Sequence, residues 1–185
     1  CMRLFLAFLS LVLLSCQTSP TGRKQLALVP EAQMEEMGRQ AFAEMKAKQT
    51  VETAEKENRY VKCVADAITR ALPEKRDWEV VVFRDDSANA FALPGGKIGV
   101  HTGLLKVAKN QHQLAAVVGH EVAHVIAEHG QERVSENMAA QGGLSVLGAV
   151  MGNPEDPRRN TVMAALGLGA QVGILLPHSR SQESE

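Results

Sequence analysis

The decisive stretch of the sequence is 110–130, NQHQLAAVVGHEVAHVIAEHG. Asn110 can cap a helix N-terminus with Gln113 at the third position of a capping box, and Gly130 supplies the expected stop. The spacing predicts a helix over 111–129, about 28 Å long at 1.5 Å per residue. Leu114, Ala115, Val117, Val118, Val122, Val125 and Ile126 wrap most of its circumference, so it is expected to be buried. Within it lies His120-Glu121-Val122-Ala123-His124, an HExxH motif. Helical residues four apart project only about 40° from each other, so both imidazoles leave one face. Two converging imidazoles suit tetrahedral zinc, and the glutamate between them stands beside a metal-bound water. Zinc brings the pKa of that water to about 7, and Glu121 can take its proton as general base while it attacks a carbonyl. Two histidines and a glutamate buried together without a metal would be costly to desolvate. The motif therefore points to amide hydrolysis with one Zn2+ per chain.

A zinc hydrolase needs a third protein ligand and an open fourth position. The HExxHxxGxxH arrangement would place glycine at 127 and histidine at 130, where this chain has Ala127 and Gly130. His129 follows His124 by five residues, about 140° around a continuous helix. It reads instead as a helix C-terminal histidine favoured by the dipole. The acidic residues available further on are Glu128, Glu132, Glu136, Glu155, Asp156, Glu183 and Glu185. His101 and His112 are isolated and read as structural, and His178 is not taken as a ligand.

Working outward, Met34, Met37, Ala41, Phe42 and Met45 recur at helical spacing, predicting an amphipathic helix over 31–49. A second helix is expected over 53–72, stopped by Pro73. Val80 to Phe83 reads as a buried strand and Asp85-Asp86-Ser87 as a turn. Phe91 to Leu93, Pro94-Gly95-Gly96 and Ile98 to His101 read as strand, tight turn and strand. After the motif, 137–154 and 160–179 carry no charge and are read as a helical hairpin beside the site, a lid or partner-binding flap, or an apolar surface touching membrane.

At the other end, Arg3 precedes an apolar run from Leu4 to Leu14 that is too short to span a bilayer. This is the layout of a secretory signal, expected over 1–15. Leu13-Leu14-Ser15-Cys16 is similar to a bacterial lipobox, which makes Cys16 a lipidation site and 16–30 a lipidated, turn-rich tether. Gln17 after the cysteine, where aspartate is absent, resembles lipoproteins sorted to the outer membrane. Cys63 would then be the only thiol left in the mature chain, read as buried and inert.

Length and charge narrow the classes further. The 185 residues suffice for one domain, and 20 basic residues balance 21 acidic ones. Aromatics make up only 4%, and no basic stripe is interleaved with stacking residues, which argues against nucleic-acid binding.

NAFALPGGKIGVHTGLL at 89–105, HEVAHVIAEHGQERVS at 120–135 and LPHSRSQESE at 176–185 together resemble the HtpX-like and CaaX prenyl protease-type zinc metallopeptidases. The stretch TSPTGRKQL is similar to that family's periplasmic lipoprotein members. The resemblance implies a gluzincin, whose third zinc ligand is a glutamate in a Ser-Arg-x-x-Glu-x-x-Ala-Asp motif. Ser179-Arg180-Ser181-Gln182-Glu183 fits it, giving zinc ligands His120, His124 and Glu183. The metallopeptidase domain is expected over 31–185, truncated at its C-terminus. The likeness also implies a substrate-binding edge strand over 89–101, with Asn89, Ala90, Phe91, Gly95 and Gly96 along the cleft. An extended peptide would add to it through backbone hydrogen bonds.

The expected fold is α+β and zincin-like, mostly helical with a small antiparallel sheet beside the HExxH helix. The expected function is zinc-dependent endoproteolysis of misfolded or unassembled envelope proteins in the bacterial periplasm. The chain would be held by its lipid, at the inner face of the outer membrane, near the outer-membrane assembly machinery. The alternative is a chaperone or assembly factor for outer-membrane proteins with latent proteolysis.

Overall fold

In the computed structural model, residues 16–19 and 22–140 are described. Two short strands, β1 (Cys16–Thr18) and β2 (Lys24–Leu26), pair antiparallel. Helices α1 (Glu31–Lys48) and α2 (Glu55–Arg70) follow. Then come β3 (Glu79–Phe83), β4 (Ala90–Leu93), β5 (Lys97–His101), α3 (Thr102–Val107), α4 (Gln111–Ile126) and α5 (His129–Ala140). In α1 the expected stripe is present: Met34, Met37, Ala41 and Phe42 are buried. Glu31 in its first turn and Lys46 and Lys48 in its last complement the helix dipole. In α2 the inward residues are Val61, Val64 and Ala65, with Ile68 packed beside them. That stripe leaves position 63 on the outer face, so Cys63 is exposed rather than buried.

The three larger strands form one sheet in the order β3-β5-β4. It is mixed, not wholly antiparallel: β4 and β5 form an antiparallel hairpin, while β3 runs parallel to β5. The hairpin follows from Pro94-Gly95-Gly96, where both glycines take positive φ, 79° and 71°. Six residues, 84–89, then suffice to carry the chain from β3 past β5 to β4, two strand spacings of about 4.8 Å each.

Alternation along the strands buries both sheet faces. Val82, Ala90, Ile98 and Val100 join α2 and α4 in one cluster that includes Leu114, Val118 and Val122. Phe83, Phe91 and Leu93 face the other way, onto Ala41 and Phe42 of α1. Gly99 lies beneath the Phe91 ring, where an added Cβ would stand 2.1 Å from Cζ. The sheet is thus the middle layer of three, with α1 on one side and α2 and α4 on the other.

Part of the stretch read as a tether is structured. The β1–β2 pair packs on α5. Arg23 forks onto Glu132 with Nη1–Oε1 2.7 Å and Nη2–Oε2 2.6 Å. The Leu28 N–H donates to Ser135 Oγ, and Gln131 Nε2 donates to the Val29 carbonyl. Nothing in the pattern of Cys16-Gln17-Thr18 and Lys24-Gln25-Leu26 signals strands, because the helix that this pair packs on lies more than a hundred residues away. Among the described residues no helix is long and apolar enough to cross a membrane. The expected leader over 1–15 and nearly all of the expected hairpin over 137–179 lie outside the described residues, as do Glu155, Asp156, His178, Glu183 and Glu185.

Candidate metal centre on the motif helix

The helix carrying the motif begins as its sequence dictates. Asn110 Oδ1 accepts from the backbone N–H of His112 at 3.1 Å and Gln113 at 3.0 Å, satisfying two donors that have no helical partner. Gln113 Oε1 reaches back past the cap and accepts from the Lys109 N–H, one residue before the donor a capping box would use. Leu114, Val118 and Val122 then seal one stripe against the sheet. The opposite stripe is more open than its apolar composition suggests: Ala116, His120 and Ala123 are exposed. Small side chains and a histidine do not require cover, so only the branched residues fix which face goes inward.

His120 and His124 do leave α4 on one face. Their Nε2 atoms stand 3.1 Å apart, with ring centroids 4.4 Å apart and planes inclined by 74°. Two imidazole nitrogens on one tetrahedral zinc, each at about 2.05 Å, would be separated by about 3.3 Å, so this pair fits the metal. His124 is buried, Glu121 is half-buried, and His120 opens to solvent. A centre here would have its floor in the protein and its mouth in water. Among the described residues, no three His, Cys, Asp or Glu side chains are grouped to hold a metal ion. The expected third ligand, Glu183, lies outside them. Of the other acidic candidates, Glu132 is paired with Arg23, and Glu136 is exposed on α5.

The helix ends earlier than expected. It stops at Ile126, and Glu128 takes a left-handed conformation, φ 59°. The Glu128 carbonyl accepts from the N–H groups of Gln131 and Glu132, so it opens α5, and Gly130 lies inside that helix instead of ending α4. This break overturns the reading of His129 as a C-terminal histidine of the motif helix favoured by its dipole. His129 is 2% exposed, and its Nδ1 is 2.6 Å from His124 Nδ1. Sequence reasoning missed it because the 140° argument presumes an unbroken helix. The only signal was a glutamate in the place a capping glycine usually takes.

A cavity of about 210 Å3 adjoins His124, walled by Ala92, Pro94, Gly95, Glu128 and Gln131. Burial pushes the Glu128 carboxyl up from its ordinary range, with the charge of Glu31 adding to the effect and Arg76 opposing it. Gln25 Nε2 donates to Glu128 Oε2 at 3.4 Å.

The stretch expected along the cleft is divided by the fold. β4 is an edge strand and packs against α4. Ala90 and Phe91 turn their side chains into the two cores, while Asn89 is exposed and its carbonyl accepts from the His101 N–H. Gly95 shares the cavity with His124, whereas Gly96 is pressed on Asp77, where a Cβ would lie 2.2 Å from its carbonyl oxygen. His101 is structural, its Nδ1 2.7 Å from Ser87 Oγ and its ring edge-on to Phe83 and Phe91. His112 is exposed in the first turn of α4, and Cys16 opens β1.

A family model described as Peptidase family M48 matches residues 54–185. The chain is 37% identical over 115 residues to the mitochondrial metalloendopeptidase OMA1 of Schizosaccharomyces pombe, covering 58% of this chain and 30% of that protein. It is 39% identical over 121 residues to the Arabidopsis thaliana protein of the same name, covering 65% and 23%. With the beta-barrel assembly-enhancing protease of Escherichia coli strain K12 it shares 31% over 83 residues, covering 45% and 17%. The matched stretches thus span less than a third of these relatives.

Proposed function

The chain belongs to peptidase family M48, and from that premise we propose that it is a zinc-dependent endopeptidase working at His120, Glu121 and His124. The observation that carries the proposal is the pair of Nε2 atoms 3.1 Å apart on one face of α4. The OMA1 relatives are named metalloendopeptidases, and the beta-barrel assembly-enhancing relatives are named proteases.

His120 and His124 hold the metal through Nε2, and Glu183 completes the set, a role supported by its Ser179-Arg180-x-x-Glu183 context. Zinc held there supplies Lewis acidity toward a peptide carbonyl and lowers the pKa of water. Glu121, one residue from His120 and half-buried, accepts the proton of the attacking water and returns it to the leaving amine nitrogen. An extended substrate adds along the outer edge of β4, which pairs with no other strand among the described residues, a recognition mode that reads backbone before side chains and so tolerates varied sequences.

Within the family the reading is an HtpX-like member that clears misfolded or unassembled envelope proteins. Its support is the three motifs at 89–105, 120–135 and 176–185, and the relatives named for beta-barrel assembly. Lipid attachment at Cys16 and a periplasmic position at the outer membrane are part of the proposal and rest on Leu13-Leu14-Ser15-Cys16 and Gln17.

The test is cleavage of a permanently unfolded protein by the full-length protein. Cleavage should stop on chelation and return when zinc is added in a one-to-one ratio. Cleavage that survives full metal removal would rule out the proposal.

A further inference from the structure

The contact between His124 and His129 has a role that the HExxH motif alone does not assign. A histidine can offer Nε2 to a metal only when its proton sits on Nδ1, and something must accept that proton to hold the tautomer and fix the ring. On His124, Nε2 faces His120 Nε2 at 3.1 Å, and the other ring nitrogen, Nδ1, lies 2.6 Å from His129 Nδ1. The two rings are 4.9 Å apart between centroids. His124 is 7% exposed and His129 2%, so water competes little for this bond.

The backbone makes the arrangement available. In a continuous helix, position 129 would point about 140° away from 124. The break after Ile126, with Glu128 at φ 59°, restarts the chain so that the first residue of α5 returns to the motif. A non-glycine residue in the left-handed region is disfavoured, and such conformations persist where surrounding structure holds them in place. Here α5 is held by the Arg23–Glu132 fork and by the hydrogen bonds of Gln131 and Ser135 to the segment after β2.

We propose that His129 is a positioning residue. Its Nδ1 accepts the Nδ1 proton of His124, locking the tautomer and ring orientation in which Nε2 of His124 offers its lone pair to the metal. The inference rests on the zinc reading of His120 and His124. It adds that the affinity of the site depends on a residue outside the motif.

Zinc affinity, measured on the full chain by competition with a chromophoric chelator, tests it directly. His129→Phe fills the same space without an acceptor and is expected to weaken zinc binding by about 10- to 100-fold. His129→Asn, whose amide oxygen can stand near the position of Nδ1, is expected to recover most of that loss. The visible spectrum of the cobalt-loaded chain should change in the Phe variant and stay close to wild type in the Asn variant. Circular dichroism and thermal unfolding of the metal-free variants identify any that have lost the fold; if Phe does, His129→Leu takes its place. Equal zinc affinity in wild type and the folded acceptor-free variant would overturn the proposal, as would equal weakening in the Asn variant. A wild-type chain that binds no zinc would remove the underlying reading as well, which separates the two failures.

Discussion

On the sheet side of α4, Leu114, Val118 and Val122 are at most 1% exposed and packed among aliphatic residues from five other elements. At its far end His120 opens to solvent, Glu128 is left-handed, and two histidines share a buried hydrogen bond. The first region satisfies every local rule of pattern, propensity and packing. The second breaks several within ten residues. Where a fold departs from its own local preferences, the departure marks work other than stability.

That contrast is testable by substitution, beginning with the largest effect. Leu114→Ala should cost about 2–5 kcal/mol in chemical denaturation, because it opens a cavity in the fully buried core. His120→Ala, on the same helix but exposed, should change stability by no more than about 0.5 kcal/mol when measured with chelator present. Similar costs for the two would erase the distinction. Gly99→Ala should cost about 1–3 kcal/mol, since its Cβ would stand 2.1 Å from Phe91 Cζ and the ring must tilt to admit it.

At the corner the sign reverses. Glu128→Gly should stabilise the fold by about 1 kcal/mol, relieving a left-handed residue and a half-buried carboxylate, whereas Glu128→Ala keeps the backbone cost. Destabilisation by glycine would mean that the contact with Gln25 outweighs the strain.

The smallest effect is a pH dependence. Burial pushes His101 below the ordinary histidine range, with Asp85 opposing, so the folded chain resists its protonation. As pH falls below about 6.5 the unfolded chain takes up that proton first, and stability declines down to the folded pKa. His101→Phe, between Phe83 and Phe91, should lose this part of the decline while leaving stability above pH 7 less affected. An unchanged acid limb in urea titrations would show that His101 contributes nothing to it.

Much of this was legible in the sequence. The helices over 31–48 and 55–70 carry their buried residues at helical spacing, the strands alternate, and Asn110 caps as its side chain predicts. HExxH spacing placed His120 and His124 together without any knowledge of the fold. Strand patterns give faces but not partners, so the parallel pairing of β3 with β5 was not readable. The docking of Arg23 on Glu132 spans 109 residues and leaves no local trace. The break at Glu128 was hidden because glycine, which usually marks such a turn, stands two residues later.

The central claim is that Glu121 acts on water at a zinc held by His120 and His124. It is tested most directly by Glu121→Gln, assayed together for bound zinc and for cleavage of an unfolded protein. The account predicts zinc retained at one per chain, with cleavage reduced by about 10²- to 10⁴-fold. Cleavage at the wild-type rate in a zinc-loaded Gln variant would contradict it.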